Sequence, residues 1–205
     1  MIVSTVWRRI RSKKRPKREL PFPAAPHLRI AQLGKVATFN GVVAFPDECA
    51  SDLESFAPQM LVAPAGALIA AAYSIFNGNL ALDSVDSAVF ALVPIGDAPV
   101  TPPDRDVIWR AFRVPIYELY VDCESNLLAA ECEAHNGWHL RSPNVQFFIA
   151  GDELFLHRQT EPVAIRTGLT ANCTDGRCAC GDTAPLLRGV RKHIGERPRA
   201  RAAGA

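Results

Sequence analysis

Short apolar segments alternate with helical patterns in the middle of the chain, and this order constrains the fold more than any other feature. Strands are predicted at Met60–Ala63, Ala88–Pro94 and Val114–Leu119, and helices at Pro64–Phe76 and Pro102–Phe112. Thr101 is a suitable N-cap for the second helix, with Pro102 at its first position. Strands that alternate with helices in this way predict an α/β fold, with a parallel sheet and crossover helices.

The segment Ala57–Phe76 has no charged residue over twenty positions, which is close to the length that a membrane span needs. Pro58, Pro64 and Gly66 interrupt it. A proline is tolerated in the first turn of a helix but not in its middle. We therefore predict a buried strand followed by a buried helix here, and no transmembrane segment.

The pattern changes after His139. Val145–Ile149 and Glu153–His157 flank a turn signal at Ala150–Asp152, which predicts a hairpin, and Val163–Thr167 is a further candidate strand. We predict a small antiparallel region that follows the parallel sheet. The expected organisation is a basic arm over residues 1–26, a core over 27–195 and a tail over 196–205, with the core divided into an α/β part (about 45–130) and an antiparallel part (about 131–190).

Basic residues are concentrated at the two ends of the chain, although the formal net charge is only +2. Eight of the eleven residues in Arg8–Arg18 are basic, and Arg188–Arg201 is basic as well. No aromatic residues are interleaved with the charges of the first segment, so we expect a solvated arm and no nucleic-acid site. These basic residues follow the short apolar start instead of preceding it, which argues against a secretory signal and favours the cytoplasm.

Three of the six cysteines fall within eight residues, at Cys173, Cys178 and Cys180. About forty residues earlier, Cys132 is followed by His135 and His139. Zinc prefers four thiolate and imidazole ligands that come in pairs close in sequence. The predicted ligand set is Cys132, His139, Cys178 and Cys180; His135 and Cys173 are alternatives, and buried free cysteines are the competing interpretation. Four protein ligands leave no open position, so this zinc would be structural.

An ordered set of segments resembles the phenylacetate–CoA ligase-like branch of the adenylate-forming (AMP-binding, acyl-CoA synthetase) enzymes. The segment Glu131–Leu140 (ECEAHNGWHL) is the strongest match, and Cys178–Pro185 resembles the Cys-x-Cys-Gly segment of that branch. Further matches are Ala57–Pro64, Ile95–Asp97, Phe112–Tyr120, Tyr120–Glu124 and Pro162–Gly168. The resemblance covers roughly two-thirds of the chain.

The resemblance implies ATP and Mg²⁺ as cofactors and a small-molecule carboxylate as substrate. It assigns Tyr120 to packing on adenine and Glu124 to holding magnesium and phosphate, the catalytic role. Gly96 and Asp97 occupy the place of a glycine–glutamate pair and are carried over as cofactor-binding residues. An aromatic face suits a purine, and a carboxylate oxygen suits Mg²⁺.

The sequence also departs from the pattern of that branch. Leu169 stands where the family has the aspartate that binds the ribose hydroxyls, Val121 replaces a glycine, and Cys123 replaces a hydroxyl residue. The glycine-rich phosphate loop and the C-terminal domain with its lysine are not found. We therefore expect a truncated protein that cannot activate a carboxylate alone. The alternative is one half of a split ligase that a complementing protein chain completes.

Overall fold

The computed structural model describes residues 27–34, 39, 41–45 and 50–194. Within this part of the chain it contains three helices and eleven strands. The helices are α1 (Ala50–Phe56), α2 (Ala65–Phe76) and α3 (Pro102–Phe112). The strands are β1 (Ile30–Leu33), β2 (Val42–Phe45), β3 (Met60–Pro64), β4 (Ala88–Pro94), β5 (Ile116–Val121), β6 (Leu127–Glu131), β7 (Trp138–Leu140), β8 (Val145–Ala150), β9 (Glu153–Arg158), β10 (Ile165–Thr174) and β11 (Leu186–Lys192). The predicted arm over residues 1–26, the tail over 196–205 and Cys49 lie outside the described residues.

All eleven strands form one sheet, in the order β2-β1-β3-β4-β5-β6-β7-β11-β10-β9-β8. The pairings from β2 to β5 are parallel. The pairings from β5 to β8 are antiparallel. A mixed α/β fold is therefore confirmed. The predicted small antiparallel region is instead a six-stranded continuation of the same sheet, and antiparallel pairing begins at residue 127.

The parallel strands β3 to β5 are buried on both faces, which explains why they are apolar almost throughout. Along β3, Leu61 and Ala63 belong to the core cluster that also contains residues of all three helices. Met60 and Val62 belong to a second cluster. Because successive side chains of a strand point to opposite faces, the helices of the described residues lie on one face of the sheet.

Helix α3 has the predicted bounds, and the Thr101 side chain accepts a hydrogen bond from the Asp104 N–H (3.3 Å). Helix α2 begins one residue later than predicted, because Pro64 is its N-cap in an extended conformation. Strand β5 begins two residues later than predicted, after the left-handed Arg113 that ends α3. The hairpin of β8 and β9 is confirmed, with each strand one residue longer than predicted.

Five strands, β1, β2, β6, β7 and β11, were not predicted. β7 has three residues and β11 carries several basic residues, so neither has a clear apolar alternation. The candidate strand at Val163–Thr167 is β10, which begins two residues later and continues to Thr174. None of the helices within the described ranges is long and apolar enough to cross a membrane.

Candidate metal centre

Cys132, His139, Cys178 and Cys180 meet beside the adjacent strands β6, β7 and β11. Cys132 directly follows β6, and His139 is the middle residue of β7. The other two cysteines lie in the loop that connects β10 to β11. Since β7 pairs with both β6 and β11, the sheet itself brings these three segments together.

Two of the distances among the four ligand atoms are close to those of a tetrahedral zinc site. All four atoms lie within 4.8 Å of one another. The Cys132 and Cys178 sulfurs are 3.6 Å apart, and the Cys180 sulfur is 3.5 Å from Nε2 of His139. Tetrahedral zinc bonds of about 2.3 Å to sulfur and about 2.0–2.1 Å to nitrogen give separations of about 3.8 Å and about 3.6 Å. A disulfide needs about 2.05 Å between its sulfurs, so these cysteines are free thiols.

The two sulfurs in contact have opposite acid–base tendencies. Burial raises the pKa of Cys132 to about 12, although the Ala134 N–H opposes this effect. The Cys180 N–H lowers the pKa of Cys178 to about 6, with further help from the Cys180 and His139 side chains. One thiolate is thus favoured at Cys178, and additional thiolates this close to it require a cation between them.

The ring of His139 is fully buried. Its Nδ1 atom, which does not face the Cys180 sulfur, holds the ring in place. Nδ1 lies 3.3 Å from the Ala184 carbonyl oxygen, so the tautomer with a proton on Nδ1 donates there and leaves the Nε2 lone pair for a metal. Asp182 is 3.8 Å from the same nitrogen and pairs with Arg141 at 2.6 Å. Metal-binding histidines characteristically have such outer contacts, which fix the ring and its tautomer.

Gly137 allows the turn before β7 to approach β11. Its φ is +122°, and a Cβ built on it would lie 2.2 Å from the Leu187 carbonyl oxygen. No residue with a side chain fits that space without moving the backbone. The glycine therefore keeps β7, with His139, close to β11 and to the loop with the two other cysteines.

The alternative ligands lie elsewhere. His135 is stacked on Tyr117 with ring centroids 5.3 Å apart, and its Nδ1 is 3.0 Å from Glu131. Cys173 lies within β10, is exposed, and does not belong to the cluster of four.

A buried polar network next to the cysteines was not predicted from the sequence. The Glu118 carboxylate, 3% exposed, accepts hydrogen bonds from the Val100 N–H (2.6 Å) and the Trp138 indole N–H (2.8 Å). Arg105 of α3 pairs with both Glu118 and Glu131. Burial raises the pKa of Glu118, while Arg105 opposes this effect. The available signal was a glutamate inside an otherwise apolar strand, since such a residue needs buried partners.

The candidate adenine-binding residue, Tyr120, is fully buried. Its ring stacks on Trp138 with centroids 5.0 Å apart and contacts Phe147 at 6.3 Å. Burial raises its pKa above the usual value, although the nearby Thr167 side chain opposes this effect. Its hydroxyl has no well-formed hydrogen bond to any of the described residues. As folded, the ring has no face exposed to solvent for a purine.

Leu169 is fully buried in the same core cluster as Tyr120. Ile95, which precedes Gly96, packs against that cluster. The Gly96 backbone is 4.0 Å from the position that a Cβ on Gly168 would occupy. Three segments that the resemblance assigns to nucleotide contacts thus lie close together near the ends of β4 and β5, and Asp97 is exposed beside them.

Glu124, the candidate magnesium ligand, is exposed in the turn between β5 and β6. Asp122 organises this turn by accepting hydrogen bonds from the N–H groups of Glu124 (2.9 Å) and Asn126 (2.7 Å). Arg158 pairs with Asp122 at 3.0 Å. The role of Asp122 was missed, although an aspartate at the start of a tight turn typically accepts backbone hydrogen bonds.

Comparisons with solved structures identify the architecture. The structure of 2-hydroxyisobutyryl-CoA ligase in the postadenylation state, in complex with R3-HIB-AMP, matches with a TM-score of 0.66 and 14% identity, over 83% of this chain and 44% of that chain. Coronafacic acid ligase from Pectobacterium brasiliense matches with a TM-score of 0.53 and 13% identity, over 82% of this chain and 40% of that chain. VinN in complex with L-aspartate matches with a TM-score of 0.51 and 10% identity, over 79% of this chain and 49% of that chain.

The chain shares the fold of part of each of these three proteins. It spans less than half the length of the solved structures that it matches. No protein-family model matches the sequence, and no curated protein does.

Proposed function

We propose that this chain is a zinc-stabilised, phenylacetate–CoA ligase-like protein that does not activate a carboxylate alone. The observation that carries the proposal is the packing of Tyr120 and Leu169 in one buried cluster. The resemblance assigns the corresponding residues of that branch to the adenine and the ribose of ATP. In this chain the same two positions belong to the protein core.

Bound nucleotide would have to disrupt that cluster. An adenine could reach the ring of Tyr120 only by displacing Trp138 or Phe147, which lie against it. Leu169 offers no acceptor for the ribose hydroxyls, and a hydroxyl that loses its partner costs about 1–3 kcal/mol. Glu124, in its exposed turn, could still hold Mg²⁺, but a single exposed carboxylate is a weak magnesium site. Gly96 and Asp97 would then have no nucleotide to bind.

The proposed cofactor is one structural Zn²⁺ held by Cys132, His139, Cys178 and Cys180. Three cysteine sulfurs and one imidazole are a donor set that zinc prefers, and the four ligand atoms lie within 4.8 Å of one another. The ion would connect β6 and β7 to the loop before β11. Thiolate ligands must stay reduced, which supports a cytoplasmic location.

The affiliation with the phenylacetate–CoA ligase-like branch is supported by the two segments that supply these ligands. Glu131–Leu140 is the strongest match to that branch, and Cys178–Pro185 resembles its Cys-x-Cys-Gly segment. They lie next to each other because β7 pairs with β11.

Two measurements on the purified protein test the proposal. Metal analysis should find one zinc per chain, and calorimetric titration with Mg-ATP and AMP should show no saturable binding up to millimolar concentration. A Tyr120→Ala variant serves as the comparison in case heat is observed. Saturable AMP binding that this variant abolishes would overturn the proposed loss of the nucleotide site, and a zinc-free native protein would overturn the metal centre.

A second candidate function is one half of a split ligase. The solved ligases are more than twice as long as their matched part. Strand β8 is an edge of the sheet and exposes Phe148 and Ile149, at 43% and 42%. A complementing chain could cover this edge and supply the missing phosphate loop and lysine. Acid-dependent ATP–pyrophosphate exchange that appears only when such a chain is added would support this candidate.

A further inference from the structure

The residues just before two of the proposed zinc ligands are both held by Glu118. Trp138, which precedes His139, donates its indole N–H to the Glu118 carboxylate at 2.8 Å. Glu131, which precedes Cys132, accepts a hydrogen bond from the Glu118 N–H at 3.0 Å. One buried residue of β5, Glu118, thus contacts the residues that precede two ligands from different segments.

Arg105 of α3 connects the two carboxylates. Its guanidinium pairs with Glu131 and lies 3.4 Å from Glu118. It also donates to the Ile116 carbonyl oxygen at 3.1 Å, which fixes its orientation at the start of β5. The Glu118 and Glu131 side chains are only 5% and 6% exposed. Two buried carboxylates this close require a shared cation, since their repulsion is only weakly screened.

The charge of the proposed zinc centre strengthens this requirement. Three thiolates and Zn²⁺ sum to one net negative charge, and Glu131 directly precedes one of these ligands, Cys132. Without Arg105, the carboxylate of Glu131 would repel both Glu118 and the thiolate of Cys132. A movement of the turn that carries Cys132 would separate these charges.

We propose that Arg105 is a positioning residue for the metal centre, because it holds the two glutamates that fix the segments before Cys132 and His139. This inference rests on the proposed zinc site. It predicts that zinc affinity depends on a residue of α3 that does not touch the metal.

The test compares zinc affinities of full-length variants by competition with a chromogenic chelator. Arg105→Met keeps the aliphatic stem, and its side chain can extend into the open groove of about 660 Å³ that Arg105 lines. We expect its zinc dissociation constant to rise by about 10–100-fold, as for other outer contacts of metal ligands. Arg105→Lys should recover part of the affinity. Arg110→Met is the matched control, because Arg110 lies on the same helix, is exposed and pairs with Asp106 of that helix.

A purely structural role would have a different signature. It would lower the free energy of unfolding equally with and without zinc. A positioning role would instead reduce the extra unfolding free energy that the zinc-loaded protein has over the zinc-free protein. The reduction would be about 1.4 kcal/mol for each tenfold loss of zinc affinity. Trp138→Phe, which removes one hydrogen bond to Glu118, replaces Arg105→Met in the test if the latter does not fold.

The outcomes separate the two hypotheses. A wild-type protein without zinc would refute the metal centre itself. A wild-type protein with one zinc, together with an Arg105→Met affinity equal to that of Arg110→Met, would overturn the positioning role alone. If Trp138→Phe is used and its affinity equals that of the wild type, the part of the positioning role that acts through Glu118 and His139 is overturned.

Discussion

The Leu169→Asp variant introduces the aspartate that the resemblance assigns to ribose binding, and we expect it to disrupt the core instead of producing nucleotide binding. Leu169 is fully buried against neighbours that are themselves fully buried, among them Tyr120 and Leu154. Loss of a buried leucine side chain costs about 2–5 kcal/mol. An unpaired buried carboxylate adds several kcal/mol more. The sum is comparable to the whole stability of a domain, about 5–15 kcal/mol.

The pH dependence of this variant identifies the cause. Burial would raise the pKa of the introduced carboxyl group above its unfolded value of about 3.9. The acid is therefore tolerated best when neutral, and the variant loses stability as the pH rises from about 4 through the raised pKa. Leu169→Asn has a similar size and does not titrate, so the stability of the aspartate variant should fall further below that of the asparagine variant as the pH rises. Urea unfolding followed by tryptophan fluorescence between pH 5 and 8, with zinc present, measures both.

The result that refutes this reasoning is specific. An aspartate variant that matches wild-type stability at pH 8 and binds AMP saturably, while the asparagine variant does not, would mean that position 169 faces an open site. The proposed loss of nucleotide binding would then be wrong, whatever the metal content.

Three further predictions concern single positions. Cys178→Ser should lower the zinc-to-protein ratio from one towards zero by metal analysis, whereas Cys173→Ser should leave it unchanged; equal ratios would refute the ligand set. Gly137→Ala should lower the free energy of unfolding by more than about 2 kcal/mol in urea titrations, since it combines a strained φ with a clash against Leu187. Tyr120→Phe should change that free energy by less than about 1 kcal/mol or raise it, because the hydroxyl has no well-formed partner among the described residues; a larger loss would indicate a hidden hydrogen bond.

The parallel strands β3 to β5 and the helices α2 and α3 could be predicted because local signals there agree with the tertiary structure, whereas β1 and β2 of the same parallel part could not. Strand β4 is apolar throughout and flanked by turns, and α3 begins with Thr101 and a proline. The length of the antiparallel part could not be predicted. Strand β7 has three residues, and it is defined by its two neighbours in the sheet, not by its own pattern.

The grouping of the cysteines with a histidine could be predicted because ligand spacing is a local property of the sequence. The choice of His139 over His135 depends on strand alternation and on Gly137, which brings the segment against β11. The buried network around Glu118 could not be predicted, since it joins α3, β5, β6 and β7. A single glutamate in an apolar strand predicts that it has buried hydrogen-bond or ion-pair partners, but it does not identify those partners.

The two groups of residues that carry the family resemblance differ in what they can do in this fold. The four proposed zinc ligands lie at separations that suit the ion, and the backbone around them holds their orientation. The positions matched to adenine and ribose are filled by Tyr120 and Leu169, which pack with their own neighbours. A cleft at the ends of β4 and β5 would expose Tyr120 and Trp138 to water, whereas the observed packing buries both. Trp138 connects the two groups, because it stacks on Tyr120 and directly precedes His139.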